Sequence, residues 1–331
     1  MKKKFEKKAE SPKVLFERMQ KRGLVIDKDG ETALYDAFRQ IGYYRFTGFC
    51  LPFQKAKPKN SNFVDGTTVQ QILRLHNFDT ELRALCGKAL EKLEVSIRIA
   101  ICDHMARRHI DPHWYTRQKH YEYAHYHQST LEEAAYALEF DLVNDESFAP
   151  NSVSGRPKFL EHYYENYHTP NIPPCWMLSE VASFGFWSIL YKRLTQQDRT
   201  QIASRWTFPD KEVMQPILFS DWLWSISIFR NRCAHHSRIT HRVFPFPPLL
   251  PRENKSRTLF KSKTSDLSSL LLVIALLLRS SAQDYQWVDD LRVLFENYSD
   301  IDLTAATGVG AGAKSTDWRE DPLWHIDKLA K

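Results

Sequence analysis

Apolar residues return every three or four positions through most of this chain, and polar punctuation divides them into successive helices. The strongest run is Val69 to His109, where Leu73, Leu82, Leu85, Leu90, Leu93, Val95, Ile97, Ile99 and Ile101 supply the apolar mass. Asp65 and Thr67 or Thr68 offer its N-cap, and so long a span predicts a break near Phe78 to Thr80. Upstream, Ser11-Pro12 predicts a cap and first-turn proline for a helix over Pro12 to Arg22, stopped by Gly23. Asp27 to Gly30 reads as a turn, and Glu31 to Gln40 as a helix with Leu34, Phe38 and Ile41 on one side. Ile41 to Phe53, IGYYRFTGFCLPF, fits either a bent helix or a short extended hairpin, with Arg45 reaching solvent.

Asp111-Pro112 closes the long run. Further helices are predicted over Leu131 to Glu146, Phe159 to Tyr167, Cys175 to Leu194, Thr195 to Arg205, Val213 to His235, Leu267 to Ser280 and Tyr285 to Tyr298. Within Cys175 to Leu194, apolar neighbours surround Glu180, a candidate buried acid that needs a partner. Ala305 to Ala313 is small, glycine-rich and predicted to be flexible; Trp318 and Trp324 are predicted to dock the terminal segment. The fold class is all-α.

Composition narrows this picture. The chain has 331 residues, 43% hydrophobic, enough for one large domain or two ordinary ones. Glycine is low at 11 while aromatics reach 13%, a balance that disfavours a glycine-rich nucleotide-binding fold; no GxxxxGK[ST] phosphate loop occurs. The five cysteines match no zinc spacing, and their odd number points to free thiols in a reducing compartment. The basic N-terminus has no apolar segment behind it. The longest apolar run, Leu270 to Leu278, falls far short of the ~20 residues that span a bilayer, so a soluble cytoplasmic protein with no membrane contact is expected.

The formal charge of +6 permits a nucleic-acid partner. It is unevenly spread: Met1 to Arg22 carries nine basic and three acidic residues, and Ser237 to Ser265 carries seven basic residues against Glu253 alone. Lys2 to Lys8 is either a solvated tail or an RNA-touching arm. His113 to Tyr126 mixes histidine with aromatics. His109/His113 and His120/His127 have suggestive metal spacings, but there is no HExxH pattern, so polar packing or RNA base contacts are the other readings.

Candidate chemistry concentrates in Ile226 to Phe246, ISIFRNRCAHHSRITHRVFPF. Four arginines (Arg230, Arg232, Arg238, Arg242) and three histidines (His235, His236, His241) stand at the end of an apolar helix without an acid. Histidine moves protons near neutral pH and arginine stabilises charge on phosphate oxygens, the two requirements of phosphoryl transfer. Asn231 and His235 share a helix face, whereas Arg230 and His235 are about 140° apart at roughly 100° per residue. They flank a broad surface that a partner, or a second copy, would complete. Glu94 and Arg98 form an i,i+4 pair that is either a surface ion pair or an inward brace. Arg230 alternatively caps the helix or pairs with Glu180, and Cys233 reads as packing.

RNRCAHH at Arg230 to His236 resembles the Arg-Asn-x-x-x-His motif of HEPN ribonucleases. With IGYYRFTGFCLPF, the Leu82 to Met105 helix containing LEKLEVSIR, WMLSEVASFGFWSILY at Trp176 to Tyr191 and FRNRCAHHSRI at Phe229 to Ile239, the larger pattern resembles the Abi-like (AbiD/AbiF-like) abortive-infection family. The resemblance implies a HEPN-type helical bundle with additional N-terminal and inserted helices. It would comprise an N-terminal segment (1–62), a HEPN-like domain (63–300) and a C-terminal extension (301–331). It also implies a metal-independent, cofactor-free endoribonuclease of phage defence or of a toxin–antitoxin system, working through 2′-hydroxyl attack. Arg230, His235 and Asn231 would be catalytic. His236, Arg232, Arg238, Arg242, Glu94, Arg98 and Glu180 would bind RNA or support the site. A cleft built from two such motifs implies a homodimer. The alternative is a catalytically silent RNA-binding protein held by a noncoding RNA or an antitoxin.

Overall fold

Ser11 opens the first helix, α1 (Pro12–Lys21), by accepting a hydrogen bond from the Val14 amide, with proline in the first turn where no amide is needed. Asp27 then caps α2 (Lys28–Gln40) through the Gly30 amide. The segment expected as a turn over Asp27 to Gly30 is therefore the cap and first turn of a helix. Ile41 to Phe53 resolves as the bent-helix alternative, α3 (Tyr43–Cys50) running into a 3-10 turn at Leu51–Phe53.

The centre of the molecule is α4 (Val69–His109), one unbroken helix of 41 residues. Thr68 and Gln71 form a reciprocal capping box at its start. The break expected near Phe78 to Thr80 is absent: Phe78 and Asp79 are fully buried, and Asp79 pairs with Arg83 one turn on. Val95 and Ile99, expected in the apolar core, are instead 49% and 55% exposed. At 1.5 Å per residue α4 spans about 60 Å, and it packs against α2 and α3 as well as the helices between Cys175 and Asn297.

After α4, Ile110 adopts a left-handed conformation, and 3-10 turns follow at Trp114–Thr116 and Gln118–His120. His120 in the second turn is buried, and its imidazole is pushed down to about 4 by burial and by neighbouring His109. The next helix, α5 (Ala124–Leu138), starts and ends earlier than the predicted Leu131 to Glu146. A short antiparallel ribbon, β1 (Phe140–Leu142) with β2 (Phe148–Pro150), follows on an otherwise all-α fold. Then come α6 (Lys158–Asn166), α7 (Cys175–Val181) and α8 (Phe184–Arg193). Cys175 to Leu194 is thus two helices, because extended Ala182 and the Ser183 cap on the Phe186 amide interrupt it.

The remaining helices are α9 (Gln196–Ala203), α10 (Pro216–Ala234), α11 (Leu267–Ser281), α12 (Trp287–Asn297) and α13 (Leu303–Thr307). Every residue of α11 from Leu267 to Leu278 is buried, as its apolar sequence requires. Ala305 to Ala311 is not a loose linker. Leu303, Ala306 and Val309 are buried, and Gly308 and Gly310 take positive φ beside Asp266 and Trp318, where a Cβ would collide. Trp318 and Trp324 dock on Phe295 as predicted. One hydrophobic core runs from Phe16 to Ile326.

The computed structural model describes residues 4, 8–56, 61–142, 148–150, 155–167, 169–252, 255–260, 265–281, 286–311 and 317–330. Most of the tail Lys2 to Lys8, the connector 151–154, and Glu253, Lys261 and Lys263 of the basic loop lie outside them. Among the described residues, no helix is long and apolar enough to cross a membrane.

Candidate functional site

The end of α10 is shaped by its own backbone. The Ser237 amide donates to the Arg232 carbonyl and the His236 amide to the Cys233 carbonyl, while His236 sits at φ 54. This is a Schellman termination, in which the left-handed position is normally glycine. A histidine there bears steric strain, and its side chain lines a cleft of about 700 Å³. His236→Gly is therefore expected to stabilise the fold by about 1 kcal/mol, read as a higher urea midpoint. A lower midpoint would show that the imidazole contributes more to folding than the backbone strain costs.

Across that cleft lies Glu94, buried on α4. One carboxylate oxygen accepts from Arg98, and the other is 2.9 Å from Nε of Arg230 on α10. Arg98 Nη1 also donates to the Ser179 carbonyl of α7 at 3.0 Å. The Glu94/Arg98 pair is thus the inward brace, and Arg230 pairs with Glu94 in place of the proposed Glu180. Two guanidinium groups share one carboxylate, which leaves a net positive charge. Nη2 of Arg230 also donates to the other Glu94 oxygen at 3.5 Å, so the guanidinium is held along one edge while the side chain stays 39% exposed. Asn231 Oδ1 lies 3.4 Å from Nη1. Arg83, Gly87 and Val95 also line the cleft.

A residue absent from the sequence-based candidates holds this arrangement in place. Asp79, fully buried on α4, accepts from the amides of Ile239 and Thr240 at 2.9 Å each and from the Thr240 hydroxyl at 2.8 Å. Its second oxygen accepts from Arg83 Nε at 2.8 Å. The strand of chain leaving α10 is thereby clamped to α4. The available signal was a charged i,i+4 pair, Asp79 and Arg83, set among core positions Leu75, Phe78 and Leu82.

The other candidates divide. His235 is exposed as the C-cap of α10, outside the cleft lining. Glu180 is exposed, not buried, and acts on Arg98 only through space. Arg232 stacks its cation over Phe246 at 5.1 Å and Phe244 at 5.8 Å. His241 is lowered below its ordinary range by burial and by Arg238, against Asp302 and Asp79, so it packs as a neutral ring. The Cys233 thiol is pushed up to about 12 by burial, which suits packing and not nucleophilic attack.

Arg238 and Arg242 line a second, larger groove of about 1160 Å³. Arg238 donates to the Gly48 carbonyl, and Arg45 donates to the His236 carbonyl, so the groove adjoins the cleft across the α10 terminus. Its described lining holds six basic residues (Lys8, Arg18, Arg22, Arg45, Arg238, Arg242) with Tyr43, Tyr44 and Phe49 between them, and one acid, Glu10, which pairs with Arg18. Cations interleaved with aromatic rings are the features that bind single-stranded nucleic acid.

A family model described as Abi-like protein matches residues 36–241, well over half of the chain, from α2 through the clamp at Ile239 and Thr240. Comparison with curated proteins and with solved structures gave no match.

Proposed function

The chain belongs to the Abi-like protein family, which places it in abortive infection and phage defence, and from that premise we propose that it is an endoribonuclease acting at the end of α10. The observation that carries this reading is Arg230: a guanidinium held along its Nε and Nη2 edge by buried Glu94, 39% exposed, with Nη1 beside Asn231 and His236 in the same cleft lining. Such a group is preorganised to meet charge developing on phosphate oxygens. In this reading the 2′-hydroxyl of RNA attacks the adjacent phosphorus. His235 transfers the proton, and Arg230 stabilises the phosphorane oxygens. The 5′-oxygen leaves as a hydroxyl, and the other product ends in a 2′,3′-cyclic phosphate.

His235 is exposed and outside the cleft lining, so one copy presents the acid–base group apart from the cationic one. Exposed Val95 and Ile99 on the same helix as Glu94 offer apolar surface for a second copy. We infer a homodimer in which two α10 termini face one another.

The test is incubation of a labelled RNA and the same sequence in DNA, without added divalent metal. RNA alone is expected to be cut, giving cyclic-phosphate and 5′-hydroxyl ends. Cleavage of DNA, or 5′-phosphate products, would refute the mechanism. The basic groove favours a second reading, a protein that binds RNA without cutting it, as a regulatory noncoding RNA would require. RNA that is retained intact after prolonged incubation would decide for that reading.

A further inference from the structure

About 15 residues of α4 beyond Glu94, or roughly 22 Å along the helix axis, a second group of polar side chains converges that the RNA reading does not use. His109 comes from the last turn of α4, His120 from the 3-10 turn Gln118–His120, and Asp198 from the first turn of α9. One ligand atom from each lies within 4.8 Å of the others. The histidine spacings that stand out in the sequence, His109/His113 and His120/His127, are not the ones brought together. His109 and His120 face each other with ring centroids 3.9 Å apart.

Three details give the cluster the character of a site. His120 is 2% exposed, yet its Nε2 has no hydrogen-bond partner, which is costly for a polar atom that could otherwise be hydrated. The His109 Nε2 to Asp198 Oδ1 separation is 3.2 Å, close to the ~3.4 Å edge of a tetrahedron with zinc–nitrogen and zinc–oxygen bonds near 2 Å. The frame is also rigid: Thr195 caps α9 and donates its hydroxyl to Asp198 Oδ2 at 2.7 Å, and the Thr195 amide donates to the His120 carbonyl at 3.0 Å.

We propose that His109, His120 and Asp198 bind one zinc ion that staples the end of α4 to α9. Two imidazoles and a carboxylate are a borderline donor set that suits zinc above calcium or magnesium. Water fills the fourth position from the exposed side of His109. His104 Nε2 lies 3.4 Å from the same Asp198 Oδ1 and helps to orient the carboxylate. Arg108 Nε competes for the same oxygen at 3.1 Å, but its guanidinium also donates to Gln201 Oε1 and keeps that partner when the ion enters. The ion is structural, and the inference stands independently of the RNA reading.

The test uses the full chain free of any histidine tag, stripped with chelator and dialysed against zinc chloride. Metal analysis is expected to find about one zinc per chain, falling at least tenfold in Asp198→Asn and His120→Ala. Chelation should lower the melting temperature of the wild type and leave that of His109→Ala unchanged. His109 is the most exposed ligand, so this variant tests the site even where His120→Ala does not fold. Cobalt in place of zinc should give the strong visible absorption of a four-coordinate ion. Wild-type protein that stays below a tenth of an equivalent, or variants that keep their zinc, would overturn the proposal.

Discussion

Replacing Arg230 with alanine is expected to reduce RNA cleavage by about 10²–10³-fold with little loss of stability. The two effects separate because of how Glu94 is shared. Without Arg230, Glu94 keeps its Arg98 contact, so no buried charge is left alone. The Arg98 link to the Ser179 carbonyl also persists, and α4, α7 and α10 stay packed. Glu94→Gln should behave differently, because it leaves two neighbouring guanidinium groups without a counter-charge and affects folding as well as activity. His235→Ala should match Arg230→Ala in activity. Its exposed side chain predicts a stability change within about 0.5 kcal/mol. Initial rates on a fluorescent RNA, with urea midpoints for each variant, give both quantities. Arg230→Ala within threefold of wild type would remove the α10 terminus from the mechanism.

Asp79→Ala is expected to carry a large stability cost, about 3–5 kcal/mol, because it breaks a buried ion pair by deleting one partner. Arg83, 6% exposed, loses its counter-ion, and the amides of Ile239 and Thr240 lose their acceptor together with the Thr240 hydroxyl. Ile239 and Thr240 are fully buried, so their donors are left without water to replace the carboxylate. Chemical denaturation measures the loss; a value under about 1 kcal/mol would mean that the clamp contributes no more than an ordinary hydrogen bond. Since the clamp fixes the chain just after His236, the variant should also lose cleavage under conditions where it remains folded. That would distinguish a positioning role from a purely global one if Arg230→Ala retains full stability.

The helices were legible wherever the signal was local. Ser11-Pro12 and Thr68 each act within one turn and each starts a helix where the pattern predicts, whereas α10 starts at Pro216, later than the expected Val213. Misreadings came where a local signal was outweighed by packing. Asp27 to Gly30 has turn composition, but aspartate there is a cap. The length of the Val69 to His109 run predicts a break near Phe78 to Thr80, whereas Asp79 there is held in the helix by backbone partners 160 residues away. Glu180 was placed among apolar neighbours in the sequence, but the split between α7 and α8 leaves it facing solvent.

The sequence alone is enough for an all-α chain with Val69 to His109 as its principal run, and it singles out one basic, histidine-bearing helix end as the candidate site. It also carried the Abi-like resemblance that the family match bears out over residues 36–241. These are matters of periodicity, capping and residue type, which act over a few positions. Only the tertiary structure decided that Glu94 faces inward to hold Arg230, that Asp79 clamps the chain after α10, and that His109 meets His120 and Asp198. An i,i+4 pair or a histidine spacing is the same string of letters on a wet face or a buried one. Which face it occupies depends on helices distant in sequence, and the cost of burying a charge without a partner leaves only the arrangement in which those partners meet.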